Sequence, residues 1–229
     1  RKGIEYSRNL MTIRIAKILG LNKILDLSKN LNIYKEIPEL LSVSLGAAET
    51  SLINLTSAYA PFVNGGKKIE PNLISRIQDR RGKTIFQVKN RKCIGCDKFI
   101  GETNEYPKIE NTSQRVMSEE TAYQMVTILN GAVKRGTAKK LRSLNVPLAG
   151  KTGTTNDNFD AWFIGFSSNL VVGVYIGFDN PKTLGKFETG SKAALPIFKD
   201  FIENALFKED FSDFKIPEKI YLTSLNYDT

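Results

Sequence analysis

Residues 148–155, 161–166 and 170–178 are three apolar, strand-forming runs joined by Asn156-Asp157-Asn158 and Ser167-Ser168-Asn169. Links this short, rich in Asn, Asp and Ser, turn a chain directly back on itself. They leave no room for a crossover helix, which with its connections takes about a dozen residues or more. The runs therefore predict an antiparallel meander, which restricts the fold more than any other feature of the chain. The third run, Leu-Val-Val-Gly-Val-Tyr-Ile-Gly-Phe, is apolar almost throughout, as expected of a strand covered on both faces.

Helical periodicity surrounds this meander. Residues 10–19 read as an amphipathic helix stopped by Gly20, and 22–31 as a second short helix with Leu25 and Leu27 available for burial. A longer pattern from Glu49 to Phe62 sets Leu52, Leu55, Ala58, Tyr59 and Phe62 on one side and ends at Asn64-Gly65-Gly66. Ser118 reads as an N-cap, with Glu119 and Glu120 placed well against the dipole of a helix running to about Val133. A closing helix over 193–206 carries Leu195, Ile197, Phe198, Phe201 and Ile202. Between these, 73–79 and 83–88 predict a hairpin around Arg80-Arg81-Gly82, and polar 89–116 reads as an irregular insertion. The expected class is α+β, an antiparallel sheet covered by helices.

Composition removes several kinds of chemistry. Histidine is absent, so neither a Ser-His-Asp nor a Cys-His site can be built, and acyl transfer would have to use lysine as its base. Net charge is +9, from 33 Lys and Arg against 24 Asp and Glu, but the basic residues are dispersed without arginine-aromatic interleaving. Nucleic acid is therefore not the expected partner. Cys93 and Cys96 are the two cysteines, too few for a zinc ribbon in a chain without histidine. A loop-closing disulfide in an oxidising compartment is the first reading of the pair, free thiols the alternative. No apolar run reaches the roughly 18 residues of a membrane span, and no signal peptide precedes the first helix. Entry into helical periodicity almost directly after Arg1 suggests a piece of a longer protein.

Lys151-Thr152-Gly153-Thr154-Thr155 stands just before the aromatic run Ala161-Trp162-Phe163-Ile164-Gly165-Phe166. Lysine and threonine offer a cation and a hydroxyl donor to a carboxylate, and glycine lets a ligand approach the backbone, so this reads as an anion clamp on a sheet edge. Taken alone, Lys151 is equally a solvated strand lysine, Ser7 a helix cap and Asn9 a turn residue.

Ser7-Arg8-Asn9 and Lys151-Thr152-Gly153 together resemble two of the three signatures of active-site-serine penicillin-interacting enzymes, Ser-x-x-Lys, Ser-x-Asn and Lys-Thr-Gly. Over residues 1 to about 204 the chain resembles the transpeptidase domain of bifunctional, class A penicillin-binding proteins of the 1A type. Ser7 to Thr12, Ser44-Leu45-Gly46-Ala47, Ala58-Tyr59-Ala60 and Ile77-Gln78-Asp79-Arg80 carry this resemblance in order along the chain. Thr121 to Met125, Arg135-Gly136-Thr137, Ala149 to Asn156 and Asp160 to Phe166 continue it.

The resemblance implies a penicillin-binding transpeptidase or β-lactamase-like fold, present in part, with no cofactor and no metal. It implies an acyl-enzyme serine that cross-links peptidoglycan stem peptides ending in D-Ala-D-Ala, with β-lactam antibiotics occupying the same site. Lys151, Thr152, Gly153, Thr154 and Thr155 would then hold the terminal carboxylate, and the backbone N–H of Thr154 would form half of an oxyanion hole. Ser7 would relay a proton to the leaving amine, and Asn9 would donate to the acyl carbonyl; Asp160 and Trp162 read as structural, a strand-end and a core residue. The parent would be anchored in the inner membrane, facing the bacterial periplasm, with an upstream glycosyltransferase domain.

In the family, Ser-x-x-Lys precedes Ser-x-Asn. The one such run here, Ser212-Asp213-Phe214-Lys215, follows the last helix and reads as a coincidence in a surface tail. The expectation is therefore the C-terminal part of the domain, 1–206, with a tail over 207–229 and without the nucleophile serine. Apolar surface left uncovered could be covered by a homodimer or a swapped element. A non-catalytic penicillin-binding sensor and a D,D-carboxypeptidase are the alternative functions, the latter needing a hydrolytic base that no Glu could be assigned to supply.

Overall fold

A computed structural model describes residues 1–88, 91–96, 106–206 and 211–223. The meander is a three-stranded antiparallel sheet of β5 (Ala149–Thr154), β6 (Ala161–Phe166) and β7 (Val171–Ile176), in that order. Lys151 pairs with Ile164, Gly153 with Trp162, and Ile164 with Gly173. Strand alternation then gives the sheet two different faces. One carries Ala161 and Phe163, which α6 (Ala194–Ala205) covers with Leu195, Phe198 and Ile202. The other carries Ala149 and Phe166, which meet Tyr59 of α4 (Leu52–Val63) and Val126 and Leu129 of α5 (Glu119–Lys134).

β7 shows why an apolar run need not be fully buried. Val172 and Val174 pack on the α6 side and Val171 on the α4 side, so both faces are covered as expected. Yet its residues are half-exposed and Tyr175 is exposed, because β7 is an edge strand among the described residues.

The helices follow the sequence closely, with shifts set by their caps. Before the first predicted helix lies a short extra turn, α1 (Lys2–Glu5), and α2 spans Asn9–Leu19. Gly20 ends α2 at φ +86°, and α3 (Leu21–Asn30) buries Leu25 while Leu27 stays exposed. The expected helix from Glu49 starts later, because the Ser51 hydroxyl accepts the Asn54 N–H at 3.2 Å and fixes the first turn there. Ser118 caps α5 as expected, accepting the Thr121 N–H at 3.1 Å. In α6, Ile197 and Phe201 face outward, since one helix face of this length cannot bury all five apolar side chains.

Residues 67–116 leave and return at one point. The Val116 and Met117 N–H groups both donate to the Gly66 carbonyl, and Gly66 sits at φ +81°, where a side chain would be driven into Met117. Within this excursion the expected hairpin forms as β1 (Arg76–Gln78) and β2 (Thr84–Gln87). The irregular insertion read over 89–116 is corrected: β3 (Arg91–Ile94) and β4 (Lys108–Asn111) form a second hairpin. Its strands are too short and too exposed to show a hydrophobic alternation, so the pairing left no trace in the pattern. Cys93 and Cys96 are disulfide-bonded with Cα atoms 5.8 Å apart; residues 89–90 and 97–105 of this segment lie outside the described ones. Past α6, Phe214 stacks edge-on against Phe166 at 5.9 Å, so the segment read as a tail contacts the core.

Candidate active site

β5 positions Lys151 to Thr154 through ladder phase. The Thr155 N–H donates to the Asp160 carbonyl, which makes 155 and 160 a hydrogen-bonded pair. Alternation of an antiparallel ladder then turns the backbone groups of Gly153 and Lys151 inward to β6 and those of Thr152 and Thr154 outward to the open edge. Lys151 and Gly153 share the face of Trp162 and Ile164, while Thr152 and Thr154 project to the other side. The two threonines are anchored differently. Thr152 Oγ1 lies 3.0 Å from Thr137 Oγ1, and Thr154 Oγ1 accepts the Gly190 N–H at 3.0 Å, leaving its hydroxyl hydrogen to donate elsewhere. Thr155 Oγ1 accepts the Asp160 N–H at 2.8 Å, so it closes the β5–β6 turn.

Lys151 meets a distant part of the chain. Its ammonium donates to the Ser7 hydroxyl and, at 2.8 Å, to the Thr152 carbonyl. Burial lowers the Lys151 pKa to about 8, because a desolvated ammonium loses hydration that two neutral acceptors replace only in part. Ser7 does not cap a helix: it sits at φ +54° between α1 and α2, and Arg8 occupies the N-cap position before α2. Asn9, the first residue of α2, is exposed, and it is not among the residues lining the cavity described next.

A cavity of about 590 Å³ opens on this face of the sheet, lined by Lys151 to Thr155, Trp162, Ile164 and Tyr175 and closed from the helical side by Leu52, Leu55 and Tyr59. The Trp162 and Tyr175 rings pack at a tilt of 48° with centroids 4.6 Å apart, and the Tyr175 hydroxyl donates to Asp160 Oδ1 at 2.9 Å. Trp162 was expected in the core; it is half-buried and forms cavity wall instead. Burial, with Tyr34 adding to it, pushes the Tyr59 phenol up to about 12, so it remains a hydrogen-bond donor at neutral pH. Two carboxylates also line the cavity, Glu49 and Asp160, where the sequence had suggested none with a chemical role.

Ser212 is remote from all this. Its hydroxyl lies 2.9 Å from that of Ser168, four residues and so about 13 Å along the chain from Ile164, the partner of Lys151. Sequence reasoning missed Glu5, Thr137, Gly190 and Tyr175. Arg135-Gly136-Thr137, one of the segments that carry the family resemblance, is the one available signal for Thr137.

The site thus combines a three-stranded meander set between α6 and the α4–α5 layer with a lysine bonded to a serine 144 positions away in the chain. Residues 1–203 match the family described as the penicillin-binding protein transpeptidase domain. The chain belongs to that family, and within it to the class A, 1A type. It is 44% identical over 230 residues to penicillin-binding protein 1A of Rickettsia prowazekii and 32% identical over 229 residues to that of Neisseria meningitidis. These matches take in 99% of this chain but only 29% and 27% of the relatives, so the chain spans under a third of their length. The crystal structure of penicillin-binding protein 1A from Haemophilus influenzae superposes with a TM-score of 0.79 at 32% identity, covering 95% of this chain and 35% of that one. The PonA1 protein of Mycobacterium tuberculosis in complex with penicillin V, 18% identical with a TM-score of 0.71 over 96% of this chain and 59% of that one, has the same fold.

Proposed function

We propose that this chain forms two walls of a serine-type D,D-transpeptidase site, and that the nucleophile serine is supplied from outside these 229 residues. The observation that carries this reading is the bond between the Lys151 ammonium and the Ser7 hydroxyl beside the open edge of β5. A stem peptide ending in D-Ala-D-Ala would lie along that edge with its carboxylate held by Lys151 and by the hydroxyls of Thr152 and Thr154. Charge-assisted hydrogen bonds of this kind contribute about 1.5–3 kcal/mol each. The nucleophile oxygen bonds to the carbonyl carbon of the penultimate D-Ala, and the resulting oxyanion is met by the outward N–H of Thr154. As the C–N bond breaks, Ser7 passes its proton to the leaving D-Ala amine and regains the proton that the nucleophile hydroxyl gives up on attack, and Lys151 holds the Ser7 hydroxyl in line for the transfer. Asn9 donates to the acyl carbonyl. An amine of a second stem peptide then attacks the acyl-enzyme, its proton passes back to the nucleophile oxygen, and the serine leaves as the ester C–O bond breaks. β-Lactams carry a carboxylate and a strained amide in the same relation and would acylate the same serine.

The parent is read as anchored in the inner membrane, facing the periplasm, with an upstream glycosyltransferase domain. The greater length of the 1A-type relatives and the Cys93–Cys96 disulfide, suited to an oxidising compartment, support this; among the described residues no helix is long and apolar enough to cross a membrane. Labelled penicillin separates the outcomes. Covalent label is expected on the full-length protein and absent from the 229-residue chain, whereas stable label mapping to Ser212 in the chain alone would refute the external nucleophile.

The lowered pKa of Lys151 makes the pH profile a second test. Half the Lys151 side chains lose their proton near pH 8 in the free protein, and the neutral amine no longer attracts a carboxylate. The second-order acylation constant, which reports the free enzyme, should therefore fall as pH rises through about 8. Lys151→Arg stays charged and should show a lower plateau with no limb there. A limb at the same pH in that variant would remove Lys151 from the explanation. The stability sign is separate: the folded pKa lies below the unfolded 10.5, so the folded state binds fewer protons between about 8 and 10.5, and stability gains with pH across that window.

A further inference from the structure

We infer that Glu5 is a positioning residue for this site: its buried carboxylate, held by Arg135, fixes the turn that presents Ser7 to Lys151. This rests on the reading of the site given above. Glu5 is fully buried at the end of α1, two residues before Ser7. Arg135, at the C-terminal end of α5, grips it as a fork, with Nη2 to Oε1 at 2.5 Å and Nε to Oε2 at 3.2 Å. Arg1 Nε adds a third donor to Oε1 at 3.1 Å. The Glu5 carbonyl accepts the Thr137 N–H at 3.2 Å, and Thr137 in turn touches Thr152 of the clamp. One residue thus joins the Ser7 turn, the end of α5 and β5.

The surroundings are shaped for this carboxylate. A side chain at Gly131 would collide with Glu5 Oε1, and one at Gly136 would collide with the Glu5 carbonyl. A buried ion pair is weak evidence for stability, since well-packed apolar groups of similar volume often serve as well or better. What a bidentate fork supplies that apolar packing does not is a fixed direction and register. Direction is what Ser7 requires here. It sits at φ +54° in a turn secured to α1 by its own N–H on the Ile4 carbonyl at 3.2 Å and by the Arg8 N–H on the Gly3 carbonyl at 2.7 Å. Moving α1 therefore moves the Ser7 hydroxyl relative to Lys151.

The test uses the full-length protein with Glu5→Gln, which keeps the shape and removes the charge, and Arg135→Lys, which keeps the charge and removes the fork. Saturating acylation by a fluorescent penicillin gives the acylation rate and the penicillin affinity separately. The pH dependence with which Lys151 reacts with an amine-selective reagent, read peptide by peptide by mass spectrometry, follows the Ser7–Lys151 contact without any penicillin. Both variants should lose roughly tenfold to a hundredfold in acylation rate at little-changed affinity, the scale expected for a small misplacement of a reacting group. The loss should largely vanish in a Ser7→Ala background, because the two substitutions remove the same effect. The Lys151 reaction midpoint should rise from about 8 towards the ordinary 10.5 as the ammonium is uncovered. Glu49 and Asp160, the other charged residues lining that cavity, are left in place. A lowered melting temperature with unchanged acylation and an unchanged Lys151 midpoint would overturn the inference, as would equal rate losses with and without Ser7. Should the wild-type protein take no penicillin label, the functional reading fails, and the Lys151 midpoint still decides whether Glu5 positions Ser7.

Discussion

Lys151→Ala in the full-length protein is expected to lower the penicillin acylation rate constant by about 10²–10³ while the fold is retained. Two losses combine in this figure. The carboxylate clamp loses its cation, worth about 1.5–3 kcal/mol for a charge-assisted hydrogen bond. The Ser7 hydroxyl also loses the donor that orients it, and misplaced proton-transfer groups cost about 10²–10⁴ in comparable general acid–base systems. The sum is set below the product of the two because groups acting as a unit are not additive. The fold should survive, because a desolvated ammonium is itself unfavourable and its removal relieves that cost. Stopped-flow labelling with a fluorescent penicillin, paired with a thermal melt, measures both quantities. Acylation within threefold of wild type would discard the clamp assignment.

Phe198→Ala is expected to be the most destabilising of the substitutions considered, by about 3–5 kcal/mol, with little effect on acylation of the folded fraction. The Phe198 ring is fully buried and meets Phe163 edge-on at 4.9 Å. Gly165 lies beneath it, where a Cβ would come within 2.5 Å of Phe198 Cζ and 2.6 Å of Phe163 Cε1. The ring therefore fills space that β6 leaves open for it, and the hole cannot be filled from the glycine side. For a unit of this size the loss corresponds to a fall in melting temperature of about 10 °C. Phe198 packs on the face of the sheet opposite Lys151, which is why rate and stability should separate. A loss under about 1 kcal/mol would show that α6 relaxes into the space and that the packing between these rings matters less than the geometry indicates.

The two substitutions mark two kinds of legibility in this chain. Elements whose signal is local could be read directly. The short links at 156–160 and 167–170 dictated the meander, Ser118 stood where a helix cap was needed, and Gly20 stood where α2 had to stop. The β3–β4 hairpin escaped notice because exposed strands of this length need no apolar alternation, and Trp162 was misjudged because bulk and hydrophobicity do not distinguish a core from a cavity wall. The site was legible as pieces. Ser7-Arg8-Asn9 and Lys151-Thr152-Gly153 were each weak alone, and their order along the chain with the other matched segments made the family plain.

By itself, then, the sequence determined the fold class and the family, because turn chemistry, periodicity and residue order are properties of neighbours along the chain. Only the tertiary structure decided that the Lys151 ammonium meets Ser7 across 144 positions and that Glu5 meets Arg135 across 130. Only it decided that α2 is not capped by Ser7 and that Thr152 and Thr154 turn their backbone outward. Contacts of that range arise from how α1, α5 and β5 pack against one another, and the burial that lowers the Lys151 pKa exists only once they have packed.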